Sequence, residues 1–443
     1  MAECASVHNP APREGRRRAA VHTLGCRLNQ SESGILMDLL RREGYEIVPF
    51  GKPADLGIVH SCTVTREADA KSRQLIRAFI RKNPKAYVAV IGCYAQTGYR
   101  ALAEIEGIDL ICGNQEKMRV LEFAAQGKNE TPLIVRDRIQ RHDFTIPFAG
   151  DALIERRTNL KIQDGCNFMC SFCAIPFARG RNRSREMDNL LDEARALVAR
   201  GAKELVLTGV NLGCYNDQGL DIADVVNRLN DLQGLRRIRI SSIEPTTIPE
   251  ELLGCMAAPD HALVPYLHIP LQSGSDKVLR LMKRKYTRSE FVDFIEKAYC
   301  RVPALCIGTD IMVGMPGETE ADFEETCAVL RDAPIAYAHV FKYSERDGTA
   351  AQRIPEKVGP KAANWRSAKV RRISARKRRA FYERYLGAAV EVLFEHEQEG
   401  WWEGYTGNYI RVAARSAKRM HNEFARVRIE GIRGDLATGT IDE

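Results

Sequence analysis

Between residues 18 and 126, short continuous apolar runs alternate with stretches of helical spacing. The runs are RAAVHTL (18–24), YEIVP (45–49), ADLGIVHS (54–61), YVAVIG (87–92) and IDLICG (108–113), and helical patterns fall near 30–43, 66–82, 98–106 and up to about 126. Strands that are apolar throughout predict a parallel sheet covered by helices on both faces. A second series follows. ELVLTGVN (204–211), LRRIRISSIEP (235–245), YLHIPLQSGS (266–275), ALCIGTDIMVGMPGE (304–318) and HVFKYSERDGTAA (339–351) each run from an apolar strand into a loop of small and polar residues, with helical spacers between. That repeat predicts a β/α barrel whose chemistry sits at the C-terminal ends of its strands. From about 387 the pattern shortens to close strands with glycine turns, as in a small OB-like barrel. The chain is therefore read as α/β, with units at 18–135, 150–380 and 387–443 behind a loose basic tail at 1–17.

Composition narrows the function. At 443 residues the chain suits roughly three domains, and its 44% apolar and 28% charged content excludes fibrous and disordered classes. No apolar stretch is long enough to cross a membrane, and the first residues lack the apolar core of a signal peptide. Thirteen cysteines in such a chain read as reduced thiols and metal ligands of a cytoplasmic protein rather than as disulfides. Net charge is +8, and residues 361–386 alone carry ten Lys/Arg against Glu383. Such a stretch is either a solvated helix or the footprint of a polyanion, RNA before a membrane. Arg376 and Arg379 are its candidate RNA contacts.

Two cysteine constellations carry the chemistry. In KIQDGCNFMCSFCAIPFARGRNRSRE, Cys166, Cys170 and Cys173 form a C-x3-C-x2-C motif. Three thiolates so close can hold all but one iron of a cubane [4Fe–4S] cluster, whereas a zinc site wants a fourth Cys or His nearby and none follows. Cys26, Cys62 and Cys93 each come just past an apolar strand, in TLGCRLNQSES, HSCTVTREADA and GCYAQ. Strand ends of an open parallel sheet share one edge, so folding can bring these thiols together. An iron–sulfur cluster, a zinc ion and three inert buried cysteines are all compatible with their spacing. ARGRNRSR places Arg179, Arg181, Arg183 and Arg185 behind the triplet, where they either stay solvated or hold an RNA backbone near it.

The triplet resembles that of the radical S-adenosylmethionine enzymes, and from about residue 18 onward the chain resembles their methylthiotransferase branch. The resemblance implies a central partial (β/α)6 barrel and a C-terminal RNA-binding TRAM module. It also implies two [4Fe–4S] clusters, one on Cys166, Cys170 and Cys173 and an auxiliary one on Cys26, Cys62 and Cys93. S-adenosylmethionine is expected at the open iron of the first, in a pocket drawn from Phe172, Thr208, Gly209, Asn211, Arg239, Ser241, Glu244, His268, Gln272, Asp310, Gly314 and Pro316. Reductive cleavage then gives a 5′-deoxyadenosyl radical, which calls for a cellular one-electron reductant, while the second cluster presents sulfur.

Tyr343 and Arg346 at a strand end, and Tyr405 and Tyr409 in the C-terminal module, are expected at the RNA. Residues 387–443 hold seven Lys/Arg against ten Asp/Glu, so a lid packed on the barrel is the competing role for the module. The wording TLGCRLNQSES, ARGRNRSR, TGVNLGCY, RISSIEP and HVFKYSERDGTAA looks most like the branch that acts on N6-threonylcarbamoyladenosine 37 of the tRNA anticodon stem-loop. Isopentenyladenosine 37 and a ribosomal-protein aspartate are the alternative targets. A non-catalytic RNA-binding iron–sulfur protein is the alternative of another class.

Overall fold

The computed structural model describes residues 16–147 and 157–442. Nearly all of the tail expected at 1–17, and the expected start of the central unit at 150, lie outside the described residues.

The first unit is a six-stranded parallel sheet. Its strands are β1 (Arg18–Thr23), β2 (Glu46–Ile47), β3 (Leu56–Ser61), β4 (Tyr87–Gly92), β5 (Leu110–Cys112) and β6 (Leu133–Val135), in spatial order β2-β1-β3-β4-β5-β6. β3 and β4 are buried along their whole length, as unbroken apolar runs require of strands covered on both faces. The helix Arg66–Lys82 begins where the Thr65 hydroxyl accepts from the Ala68 amide (3.1 Å). Glu67 and Asp69 lie in its first turn and Arg81 and Lys82 in its last, matching the helix dipole. Two details depart from the sequence pattern. The first helix starts at Arg27, directly after Cys26, and the one expected at 98–106 spans only Tyr99–Ala103. β6 is three residues long, too short to leave a periodic signature.

The central unit contains β7 (Thr158–Lys161), a hairpin of β8 (Gln163–Asp164) and β9 (Arg183–Ser184), then β10 (Glu204–Thr208), β11 (Arg237–Ile240), β12 (Tyr266–His268), β13 (Cys306–Val313) and β14 (Tyr337–Lys342). β7, β10 and β11 pair in parallel, as do β12, β13 and β14, and an Ile238–Leu263 bridge joins the two sets into an open arc of six strands. Capping boxes at Asp221/Asp224, Thr287/Glu290 and Thr319/Asp322 start three of its helices. The basic run forms the helix Pro360–Glu383, which packs along β14 and the helix Glu320–Asp332. Much of its charge is used internally. Arg366 donates to Glu318 (2.6 Å), Arg371 to the Val340 carbonyl (2.9 Å) and Lys377 to the Ala333 carbonyl (2.8 Å).

The third unit is a closed five-stranded barrel of β15 (Ala389–Gln398), β16 (Trp401–Thr406), β17 (Arg411–Arg415), β18 (Phe424–Arg433) and β19 (Leu436–Ile441), in order β15-β16-β17-β19-β18. It seats against the starts of the central strands. Val264, Tyr266, Cys306 and Tyr337 share one buried cluster with Val392, Phe394, Ile410 and Val412. Arg239 locks that seat. Its guanidinium donates to Glu204 (2.7 Å) and to the carbonyls of Gly407 (2.8 Å) and Thr406 (3.2 Å). Arg239→Ala leaves the fully buried Glu204 only the more distant Arg237 (3.8 Å) and loosens the module, so a loss of about 3 kcal/mol is expected in denaturant unfolding.

Candidate active site

β1, β3 and β4 are neighbours in the first sheet, and one cysteine follows each. Cys26 precedes the helix Arg27–Arg42, Cys62 follows β3, and Cys93 opens the helix Cys93–Thr97. The fold therefore brings the three together at one edge. Burial pushes the Cys62 thiol up to about 11, with the Cys93 and Cys26 thiols adding to the rise. Burial also raises Cys26, against the pull of the Arg179 guanidinium. Gly25 has φ +97°, and a Cβ there would lie 2.8 Å from the Cys62 sulfur. Only glycine both adopts that backbone and leaves room beside the thiol.

Cys166, Cys170 and Cys173 lie on the loop between β8 and the helix Ile175–Arg179. The loop is turned on itself: the Cys173 amide donates to the Cys170 carbonyl (3.1 Å), and the Phe168 amide points at the Cys166 sulfur (3.4 Å). Gly165, at φ +71°, lets the loop pass the Arg181 carbonyl, which a Cβ would meet at 2.0 Å. Arg284 donates to the Cys170 sulfur (3.3 Å) and pairs with Glu244. Burial pushes Cys173 up to about 12, with Cys170 and Cys166 contributing. Each triad offers three clustered sulfur donors near a fixed guanidinium, Arg284 at one and Arg179 at the other. Such a donor set fits an iron–sulfur cluster, whose ligands are thiolates, the form that a nearby positive charge favours.

A cavity of about 870 Å³ opens between the units. Its wall includes Cys26 and Cys62 from the first unit, Gly209, Ser241, His268, Asp310 and His339 from the central one, and Tyr405 and Tyr409 from the third. His268 and His339 flank Asp310, at 3.1 and 3.6 Å. Burial alone would raise Asp310, yet the two imidazoles hold its carboxyl well below the usual range. Ligand atoms of the three lie within 4.8 Å of one another.

The remaining expected cofactor residues spread out. Asn211 is buried and donates to the Cys214 sulfur (3.0 Å), while Glu244 is turned to Arg284. Cys214 itself is pushed up to about 11 by burial and by neighbouring Cys166, a proximity its sequence position does not reveal. Gln272, at φ +63°, bridges to Ile311. Phe172 packs beside Met315 and Tyr343, next to the loop of Gly314 and Pro316. Gly314 donates to Glu318 (2.7 Å).

Several expected roles are corrected by burial. Thr208 is buried with its hydroxyl on the Leu160 carbonyl (3.2 Å), and Arg239 is occupied by the third unit, so neither faces a cofactor. Arg179 and Arg185 are 1% and 0% exposed, on Glu32 and Asp164 and on Glu193 respectively, and cannot touch RNA. Arg183 is buried near Asp164. Arg346 bridges to Asp69 (2.7 Å) and Thr63 (2.5 Å) of the first unit, a latch between units rather than an RNA contact. Tyr409 stacks on Tyr266 (4.5 Å) and Tyr405 on Tyr409 (5.0 Å), and both half-buried rings line the cavity. Arg181 does reach a surface depression, beside Arg136, Arg138, Arg141 and the half-exposed Phe177. The run RDRIQRH (136–142) carried that signal in its three closely spaced arginines.

Comparison with known proteins agrees with this arrangement. A family described as the radical SAM superfamily matches residues 160–330, and one described as uncharacterized protein family UPF0004 matches 18–113. The threonylcarbamoyladenosine tRNA methylthiotransferase MtaB of Bacillus subtilis is 37% identical over 93% of this chain and 93% of its own. The protein of the same name from Aquifex aeolicus is 35% identical over 91% and 98%. The tRNA-2-methylthio-N(6)-dimethylallyladenosine synthase of Methylacidiphilum infernorum is 30% identical over 95% and 94%. Among solved structures, the radical S-adenosylmethionine methyltransferase TsrM from Kitasatospora setae shares the fold, with TM-score 0.55, 15% identity and 74% and 75% coverage. The chain belongs to the radical S-adenosylmethionine tRNA methylthiotransferases, enzymes of iron–sulfur and S-adenosylmethionine chemistry, in the MtaB-like branch.

Proposed function

We propose that this enzyme places a methylthio group on carbon 2 of N6-threonylcarbamoyladenosine 37 in the anticodon stem-loop of tRNA, using two S-adenosylmethionine-dependent steps and a cellular one-electron reductant. The observation that carries the reading is the pair of cysteine triads, held on separate units, with Cys26 and Cys62 opening into the cavity that also takes in the barrel strand ends. When bound, two [4Fe–4S] clusters and S-adenosylmethionine supply the hydrogen-abstracting oxidant and the sulfur that an unreactive aromatic C–H requires. Cys166, Cys170 and Cys173 would hold the first cluster and Cys26, Cys62 and Cys93 the second. The protein's own work is positional. Ser241, Gly209 and the His268–Asp310–His339 wall shape the space, while Tyr405 and Tyr409 close one side against water. The depression of Arg136, Arg138, Arg141 and Arg181, with Phe177 as a stacking platform, supplies the RNA approach, helped by exposed Arg376 and Arg379.

The test is anaerobic, iron-reconstituted protein incubated with threonylcarbamoyl-bearing tRNA and dithionite, followed by mass spectrometry of the digested RNA. A methylthio adduct on the modified adenosine is the expected product. Modification of dimethylallyl tRNA alone, or of a ribosomal protein alone, overturns the assignment.

A further inference from the structure

The wall that contains Cys26 and Cys62 also contains Arg157. This side chain is 8% exposed and is fixed from two sides. Its Nε donates to Glu395, and its guanidinium lies 4.0 Å over the Tyr405 ring and 5.3 Å from that of Tyr409. Nη1 is nevertheless buried with no hydrogen-bond partner. The same wall holds a second such atom, Nδ1 of His396. Buried polar atoms are satisfied as a rule, so an orphaned guanidinium nitrogen in a ligand-sized cavity marks where an acceptor is missing. The neighbouring charges already have partners. His268 and His339 face Asp310, Arg411 donates to Glu403 (2.6 Å), and Arg27 donates to Asn159 (3.3 Å).

We propose that Arg157 reads the carboxylate of the threonylcarbamoyl substituent and thereby selects that nucleoside against the dimethylallyl one. The assignment rests on the substrate reading above. A guanidinium offers a planar fork of N–H donors that matches a carboxylate. Glu395 and the two tyrosines hold the fork in place before substrate arrives, so little side-chain freedom is lost on binding. The threonylcarbamoyl group brings an anion, a hydroxyl and urea N–H groups to this wall. A dimethylallyl group brings hydrocarbon, which displaces water from a buried cation and leaves Nη1 unsatisfied. Sites built around a hydrogen bond reject an analogue that lacks it far more strongly than an apolar pocket rejects an added group.

The experiment perturbs both partners. Anticodon stem-loops carrying threonylcarbamoyladenosine, its threonyl methyl ester, or dimethylallyladenosine are offered to the reconstituted wild type and to Arg157→Gln and Arg157→Lys. Methylthiolation is followed by mass spectrometry, and iron content and thermal unfolding are recorded for each variant. Wild type should lose roughly 10- to 100-fold in kcat/KM on the ester. Arg157→Gln should use acid and ester alike, and Arg157→Lys should keep part of the preference. Equal turnover of acid and ester by wild type overturns the proposal, and because it needs no mutation it decides the matter even if a variant misfolds. So does a folded, iron-replete Arg157→Gln that still prefers the acid by the wild-type factor. Wild-type activity on the dimethylallyl stem-loop alone would instead overturn the substrate reading, and the role of Arg157 with it.

Discussion

Alanine at Cys26, Cys62 and Cys93 together is expected to abolish methylthiolation while leaving S-adenosylmethionine cleavage intact. Alanine at Cys166, Cys170 and Cys173 is expected to abolish both. The two triads sit on different units and different loops, so each can be emptied without the other. Cys62 and Cys93 are buried and Cys166, Cys170 and Cys173 half-buried, so alanine removes one sulfur apiece and leaves the surrounding backbone bonds in place. Each triple variant should lose about four irons per chain on anaerobic assay. Release of 5′-deoxyadenosine should persist in the first variant and vanish in the second. If both variants lose the same activity and the wild type binds a single cubane or zinc, the division of labour between the triads is wrong.

Glu32→Gln is expected to destabilise the protein by about 3–5 kcal/mol in denaturant unfolding. Glu32 is fully buried on the helix Arg27–Arg42 and accepts from Lys117 (2.6 Å), Lys161 (2.7 Å) and Arg179 (3.0 Å). Burial alone would raise its carboxyl, and those three cations overcome this and hold it well below its usual range. The cost of burial also shows on the cations, since Lys117 is pushed down to about 8 by desolvation despite the Glu32 charge. Asp164 is the second carboxylate of the cluster, on Lys161 (2.7 Å) and Arg179 (3.0 Å). Neutral glutamine leaves three buried cations to one acid. Glu32 and Lys117 belong to the first unit and Lys161, Asp164 and Arg179 to the central one, so the same variant should loosen their docking. Faster hydrogen exchange along Arg27–Arg42 would register that. A change below about 1 kcal/mol would show that the cluster relaxes or hydrates at little cost.

Local chemistry was legible along the chain to different depths. The C-x3-C-x2-C triplet is read directly because all three donors fall within one short loop. The apolar runs gave β3 and β4 to the residue or nearly so, since strands buried on both faces leave a continuous pattern. The same reasoning led to a β/α barrel and a small OB-like barrel, the family resemblance narrowed the first to a partial six-unit one, and the structure shows an open six-strand arc and a closed five-strand barrel. Arginine roles were the least legible. ARGRNRSR reads as a basic loop, yet three of its four arginines are buried and the acids that neutralise them lie elsewhere: Glu32 is 147 residues from Arg179. Arg239 looked like a strand-end cofactor contact and is instead bound to carbonyls 167 and 168 residues later.

By itself the sequence determined the order and class of the units, the triplet and the thiols past β1, β3 and β4. These depend on periodicity and spacing, which act over neighbouring residues. Only the tertiary structure decided which charges are satisfied, which arginines stay exposed, and that the C-terminal tyrosines line the cavity between the units. Arg157 shows why: the carboxylate it donates to, Glu395, is 238 residues away, and its orphaned Nη1 exists only once three units have enclosed it. Desolvation and pairing are properties of enclosed space, and no local pattern encodes them.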